Sequence, residues 1–169
     1  MRAFILSLCC WCAFPVSAEA SRLVGKADFD VLWFTVYNAE LYHPNGAFKF
    51  DNVEGSRLEL QYQVDITSEE LVEATIDEWR KLGFVQTAQH KSWREQLLSI
   101  WPDISEGDRL VVEINAQGRA DFSHQSHGKA LSHIGSINSK QFSIEFLSIW
   151  LADRDQHTEF RAQLLGQKE

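Results

Sequence analysis

The chain has 169 residues, with 24 acidic against 16 basic side chains and a formal net charge of −8. That balance repels phosphate backbones and anionic lipid heads, so nucleic-acid binding is not expected. The three cysteines, Cys9, Cys10 and Cys12, all fall within the first twelve positions, which leaves the rest of the chain without disulfides, thiolate metal ligands or thiol nucleophiles.

Residues 1–18 have the order of a secretory signal peptide. Arg2 supplies the positive start, the run from Ala3 to Phe14 is uncharged and apolar, and Pro15 breaks it. Val16 and Ala18 then place small residues at −3 and −1 of a cut after Ala18, and a cut after Ala20 is also allowed. At about 12 residues the run is too short to cross a bilayer, which takes roughly 20. The expectation is one soluble domain over 19–169, acting in the periplasm or outside the cell.

Phe29–Tyr42 is rich in β-branched and aromatic residues and reads as one long strand. Val31, Trp33, Thr35, Tyr37, Ala39 and Leu41 share one of its faces. Pro44-Asn45-Gly46 turns the chain. Leu58–Ile66 alternates, with Leu58, Leu60, Tyr62, Val64 and Ile66 on an inner side, as a half-buried antiparallel strand does.

Thr67 and Glu70 form a capping-box pattern, and Leu71, Val72, Ile76, Trp79 and Leu82 recur at helical spacing up to a capping Gly83. A second helix spans His90–Trp101 and stops at Pro102. Arg109–Asn115, Arg119–His124 and Ala130–Ile134 read as an antiparallel meander with turns between. Asn138 is the expected N-cap of a helix through Phe142, Phe146, Ile149 and Trp150, apolar on most sides and therefore buried. Thr158 caps a last short helix that ends at Gly166. Strands thus come as two and then three, with a helix pair after each group. No βαβ alternation is visible, so the fold class is α+β, an antiparallel sheet with helices on one face.

Several separated stretches carry a family resemblance. They are Phe34-Thr-Val-Tyr-Asn-Ala-Glu-Leu-Tyr42, Gly107-Asp-Arg-Leu110, Phe122-Ser-His-Gln-Ser-His-Gly128, Ile137-Asn138, Phe142 with Phe146-Leu-Ser-Ile-Trp-Leu151, and Phe160-Arg161 with Leu164-Leu-Gly166. Together they resemble the bacterial exported proteins of the chalcone isomerase-like family. The resemblance implies an open-faced β-sandwich, a long antiparallel sheet backed by helices.

For activity, the resemblance implies an intramolecular lyase that closes a ring on a chalcone-like enone. An arginine, a strand threonine, and a helix tyrosine and asparagine would polarise the developing enolate. Trp33-Phe34-Thr35 is similar to the motif that holds the threonine, so Thr35 takes that role. The arginine position falls on Leu23, one residue from Arg22, and the tyrosine and asparagine positions fall on Thr67 and Ala74. One of the four roles is therefore kept.

The candidate ligand-binding residues are Thr35, Tyr37, Tyr62, Trp79 and Arg22, with Thr35 also the catalytic candidate. Hydroxyls among tryptophans suit a hydrophobic molecule with one polar end. His124, His127 and His133 follow no metal-ligand spacing, and Glu69, Glu70, Glu73, Asp77 and Glu78 read as a helix start and its solvated face. No cofactor or metal is expected. The leading reading is a non-catalytic binder of a small apolar or aromatic molecule, such as a fatty acid or polyphenol. The alternatives are the isomerase and a ligand-free interaction protein of the cell envelope.

Overall fold

Side chains alternate between two faces along each strand, and the register between strands decides which of them meet. In the computed structural model, which describes residues 21–154 and 156–167, Leu41, Leu58, Val112 and Phe122 lie side by side in one buried row. The row belongs to a single antiparallel sheet in chain order, β1 (Arg22–Val31), β2 (Phe34–His43), β3 (Arg57–Tyr62), β4 (Arg109–Ile114), β5 (Ala120–Gln125) and β6 (Ser132–Ile137). The helices α1 (Ser68–Lys81), α2 (Ala88–Ile100), α3 (Lys140–Leu151) and α4 (Thr158–Leu164) build the core with that face. The fold is the α+β sheet-and-helix arrangement that the sequence pattern implies. The signal-peptide expectation falls on residues outside those described.

The other face is polar. Lys26, Glu40, Glu59, Val111 and Ser123 sit across from one another. Adjacent glutamates would repel. Lys26 meets Glu40 at 2.5 Å, while Arg57 and Arg109 reach Glu59 at 2.8 and 3.1 Å, so each carboxylate has its own cation.

The expected single strand over Phe29–Tyr42 is in fact two strands. Val31 pairs with Phe34, and Leu32-Trp33 makes the turn between β1 and β2. Leu32 has φ 59°, a left-handed conformation that leucine rarely adopts. The sequence shows none of the Gly or Asn that usually marks such a turn, so the hairpin was not legible. The strands therefore come as three and three. The strand from Leu58 ends at Tyr62, and Ile66 makes only an isolated bridge to Ile104.

The helix signals translate more directly. Thr67 and Glu70 form the capping box, and Gly83 at φ 80° lets Phe84 N–H reach Trp79 O at 3.0 Å. The third helix is capped by Ser139, whose Oγ accepts from Phe142 N–H at 3.2 Å, rather than by Asn138. The fourth is capped by His157, with Thr158 its first helical residue. The last strand of the meander is shifted to Ser132–Ile137.

Asp108 ties the loop before β4 to the β5–β6 turn. It accepts from Ser105 N–H at 3.1 Å, His127 N–H at 2.9 Å and the His124 ring at 3.0 Å. Burial alone would raise its pKa, but these donors outweigh burial and hold the carboxyl below the usual carboxylate range. We predict that Asp108→Ala costs about 1–2 kcal/mol at neutral pH, because two part-buried N–H groups lose their charged acceptor. A depressed folded pKa gives stability that is complete above the unfolded value of about 3.9 and vanishes as pH falls through the folded one. Urea unfolding at several pH values should therefore show the gap between wild type and variant closing below about pH 4.

Candidate functional site

Where β2 runs past the end of β3, the sheet loses a neighbour. Tyr37 is the last β2 residue paired to β3, opposite Tyr62, and Phe34–Val36 lie beyond that pairing. Under this corner, between the sheet and helices α1, α3 and α4, lies a cavity of about 190 Å³. Phe29, Val36, Leu71, Ile149 and Phe160 are among its apolar walls.

Each wall has a local cause. On α1, Leu71, Ala74, Thr75 and Glu78 follow helical spacing, so one face lines the space. Thr75 returns its hydroxyl to Leu71 O at 3.0 Å and so presents its methyl side. Helix α4 closes the side wall by lying close against β1. A Cβ on Gly25 would come within 2.2 Å of Gln163 O and 2.6 Å of Leu164 O, so only glycine permits the contact. That approach brings Phe160 edge-on to Phe29 at 5.6 Å, and Phe29 stacks flat on Tyr37 at 4.9 Å.

The polar groups of the cavity are few. Trp150 Nε1 donates to the Tyr37 hydroxyl at 2.9 Å, which leaves the Tyr37 proton to donate elsewhere. The Tyr62 hydroxyl makes no hydrogen bond among the described residues, and its ring meets Tyr37 edge-on at 5.7 Å. Burial pushes both phenols well above the ordinary tyrosine range, so they are neutral donors.

Two arginines stand at the rim. Arg154 bonds Glu78 at 2.7 Å and Ile149 O at 2.8 Å. Arg161 Nε donates to Leu151 O at 2.9 Å, and its other arm faces exposed Asp153 at 3.5 Å. Burial would raise the Glu78 carboxyl, but Lys81 and Arg154 outweigh it and hold it below its usual range. At the rim each guanidinium therefore has a carboxylate partner, half-buried Glu78 for Arg154 and exposed Asp153 for Arg161.

Of the residues singled out from sequence, the structure brings Tyr37 and Tyr62 together at this cavity. Thr35 lies in the hairpin, its hydroxyl donated to Asp30 at 2.7 Å, outside the cavity. The reason is the turn at Leu32-Trp33, which makes the segment a protruding hairpin rather than a covered strand. Trp33 is correspondingly exposed. Arg22, at the other end of β1, is exposed and borders Gly46. Trp79 is fully buried elsewhere in the core, its Nε1 donated to Glu145 O at 3.0 Å and its ring packed on Trp93 and Phe142.

Sequence reasoning missed Arg154, Arg161 and Trp150 as cavity residues. Nothing in a C-terminal segment tells that it returns to the first hairpin, so no local signal marked them. Glu78, read as part of a solvated face, is instead a rim residue paired with Arg154. His124 serves Asp108, and no cluster of three or more metal-ligating groups occurs among the described residues.

The three tyrosines give this geometry a spectroscopic signature. A hydrogen bond to Glu40, then burial, pushes Tyr42 up to about 12, and the other two lie higher. We predict that alkaline titration of tyrosinate absorbance shows no step near pH 10 in the folded protein and a three-tyrosine step there in denaturant. Phenols raised in the folded state give stability that is full below pH 10 and declines above it. Alkaline unfolding should accompany any tyrosinate signal.

Comparison with known proteins follows the same line. Residues 19–166 match the family model described as chalcone isomerase-like. Among solved structures, a fatty-acid binding protein of Arabidopsis thaliana superposes with a TM-score of 0.60 at 12% identity, over 90% of this chain and 91% of that one. At that identity the likeness is one of fold. The search of curated proteins found no match.

Proposed function

We propose that this chain, which belongs to the chalcone isomerase-like family, is a non-catalytic binder of a small apolar molecule with one acidic end, a fatty acid of short or medium length. The observation that carries this reading is the cavity beneath Tyr37 and Tyr62, apolar in its walls and bordered by Arg154 and Arg161. Apolar walls take the chain of such a ligand, neutral phenols donate to its oxygens, and the guanidinium groups balance its charge.

Size narrows the ligand. A dry cavity of about 150 Å³ accepts one benzene molecule. A space of about 190 Å³ therefore suits a single ring or a modest acyl chain, and a two-ring polyphenol exceeds it. This favours the fatty acid over the polyphenol.

The placement of Thr35 bears on catalysis. Its hydroxyl is engaged by Asp30 on an exposed hairpin, away from the space where an enone would lie. An isomerase needs a donor aimed at the forming oxyanion, and the residue matched to that task donates to Asp30 and does not line the cavity.

Titration of the protein with medium-chain fatty acids, followed by calorimetry and native mass spectrometry, tests the reading. Binding at one site is expected. Ala74→Phe should abolish it by filling the mouth, and Tyr62→Phe should weaken it about tenfold through loss of one charge-assisted donor. A protein that refuses every acyl chain length removes the proposal. Chalcone cyclisation is expected at the spontaneous rate, unchanged by Thr35→Ala.

Export is the second part of the proposal and rests on the order of residues 1–18. Sequencing the N-terminus of the protein recovered from the producing cell should begin at Glu19, or at Ser21 if the cut follows Ala20. A start at Met1 would refute export by cleavage.

A further inference from the structure

We infer that the tip of the β1–β2 hairpin docks on the surface of a zwitterionic lipid bilayer. Four consecutive apolar side chains stand out of the fold there, with Val31 48%, Leu32 83%, Trp33 78% and Phe34 60% exposed. A turn shaped only for folding would carry Gly, Asn or Asp. This one instead holds a leucine at φ 59°, and the strained position points two large apolar groups at solvent.

The finger is held in shape from behind. Thr35 donates to Asp30 at 2.7 Å and Asn38 donates to Asp28 at 2.6 Å, so the two strands are cross-linked by side chains next to the tip. Tryptophan and phenylalanine at the end of a rigid ribbon favour the boundary between water and hydrocarbon.

Area and charge select the occupant. Four side chains of this exposure offer on the order of 500 Å², whereas a stable protein interface needs about 800 Å² from each partner. A second copy of this chain is poorly served by so small a convex tip. A bilayer accepts a small wedge. The collar behind the tip is acidic, with Asp28 and Asp30, and the whole chain carries net charge −8. Anionic headgroups repel such a collar, and the outward ammonium of a zwitterionic headgroup suits it.

Phe29, Val36 and Tyr37, just behind the tip, line the cavity. Docking would thus hold the cavity close to the lipid surface, where fatty acids reside. That purpose rests on the function proposed above, while docking itself rests on the hairpin.

The test uses the full chain carrying fluorotryptophan and vesicles of pure phosphatidylcholine, with fluorine resonances assigned by single Trp→Phe variants. The Trp33 resonance should shift and broaden with vesicles while that of buried Trp93 holds. The double variant Leu32→Ser, Trp33→Ser should lower vesicle partitioning about tenfold or more, with fatty-acid affinity measured without vesicles unchanged. Adding phosphatidylglycerol should weaken partitioning. The inference is overturned if Trp33 ignores the vesicles, if only Trp11 of the N-terminal stretch responds, or if Trp33 changes with protein concentration alone, which would assign the tip to a second copy. Fatty-acid titration without lipid reads the cavity separately, so either reading can fail without the other.

Discussion

The packing of α3 on the inner face of the sheet is the interaction on which the other elements depend. Phe142 and Phe146 stack at 5.4 Å and meet Phe122 of β5 edge-on, while Trp79 and Trp93 bring α1 and α2 against the same ring cluster. Aromatic side chains remove the most apolar area per residue and prefer these offset and edge-on geometries. No disulfide assists within the described residues, so this cluster carries the share of stability that a staple would otherwise supply. The buried polar groups beside Trp79 are satisfied, whereas the indole N–H of Trp101, packed on Phe122 and Phe146, has no partner among the described residues. The ring of His90 accepts from Thr87 N–H at 3.2 Å and faces Glu145 at 2.8 Å, and Gln141 donates to the other Glu145 oxygen at 2.7 Å.

The cavity lies where that aromatic seam runs out. Helix α3 continues past Phe146 to Trp150, whose indole reaches Tyr37 on the first hairpin. Beyond that point the cover comes from the short segment after α3 and from α4, seated on Gly25. Two large phenols and two phenylalanines line the space but leave it incompletely filled. A core pressed only toward stability would fill such a void, since an empty cavity costs contacts on every side. The Tyr62 hydroxyl, which makes no hydrogen bond among the described residues, and the two rim arginines line this void, and the proposed ligand site rests on them.

One end of the molecule thus gathers its exceptions. Elsewhere the outer face pairs its charges and α1 carries a full capping box. At this end a leucine holds a left-handed turn, apolar groups meet water, a phenol has no hydrogen bond among the described residues and a histidine with φ 59° starts α4. Departures from local rules concentrate where a fold meets something else.

The sequence by itself determined the four helices and the start of the first, the alternating strand from Leu58, the antiparallel meander and the family. Those depend on periodicity and on capping residues within a few positions of each other, as with Thr67, Glu70 and Gly83. It also named Tyr37 and Tyr62 as neighbours, because both stood at inner positions of adjacent strands. Only the tertiary structure decided that Val31–Phe34 is a turn, since β-favouring residues there conceal it. Only the structure moved Thr35 and Arg22 away from the cavity, sank Trp79 into the core, and brought Trp150, Arg154 and Arg161 to a wall formed by residues over a hundred positions earlier. Contacts of that separation follow from how α3 and α4 close over the sheet, and no short-range pattern encodes them.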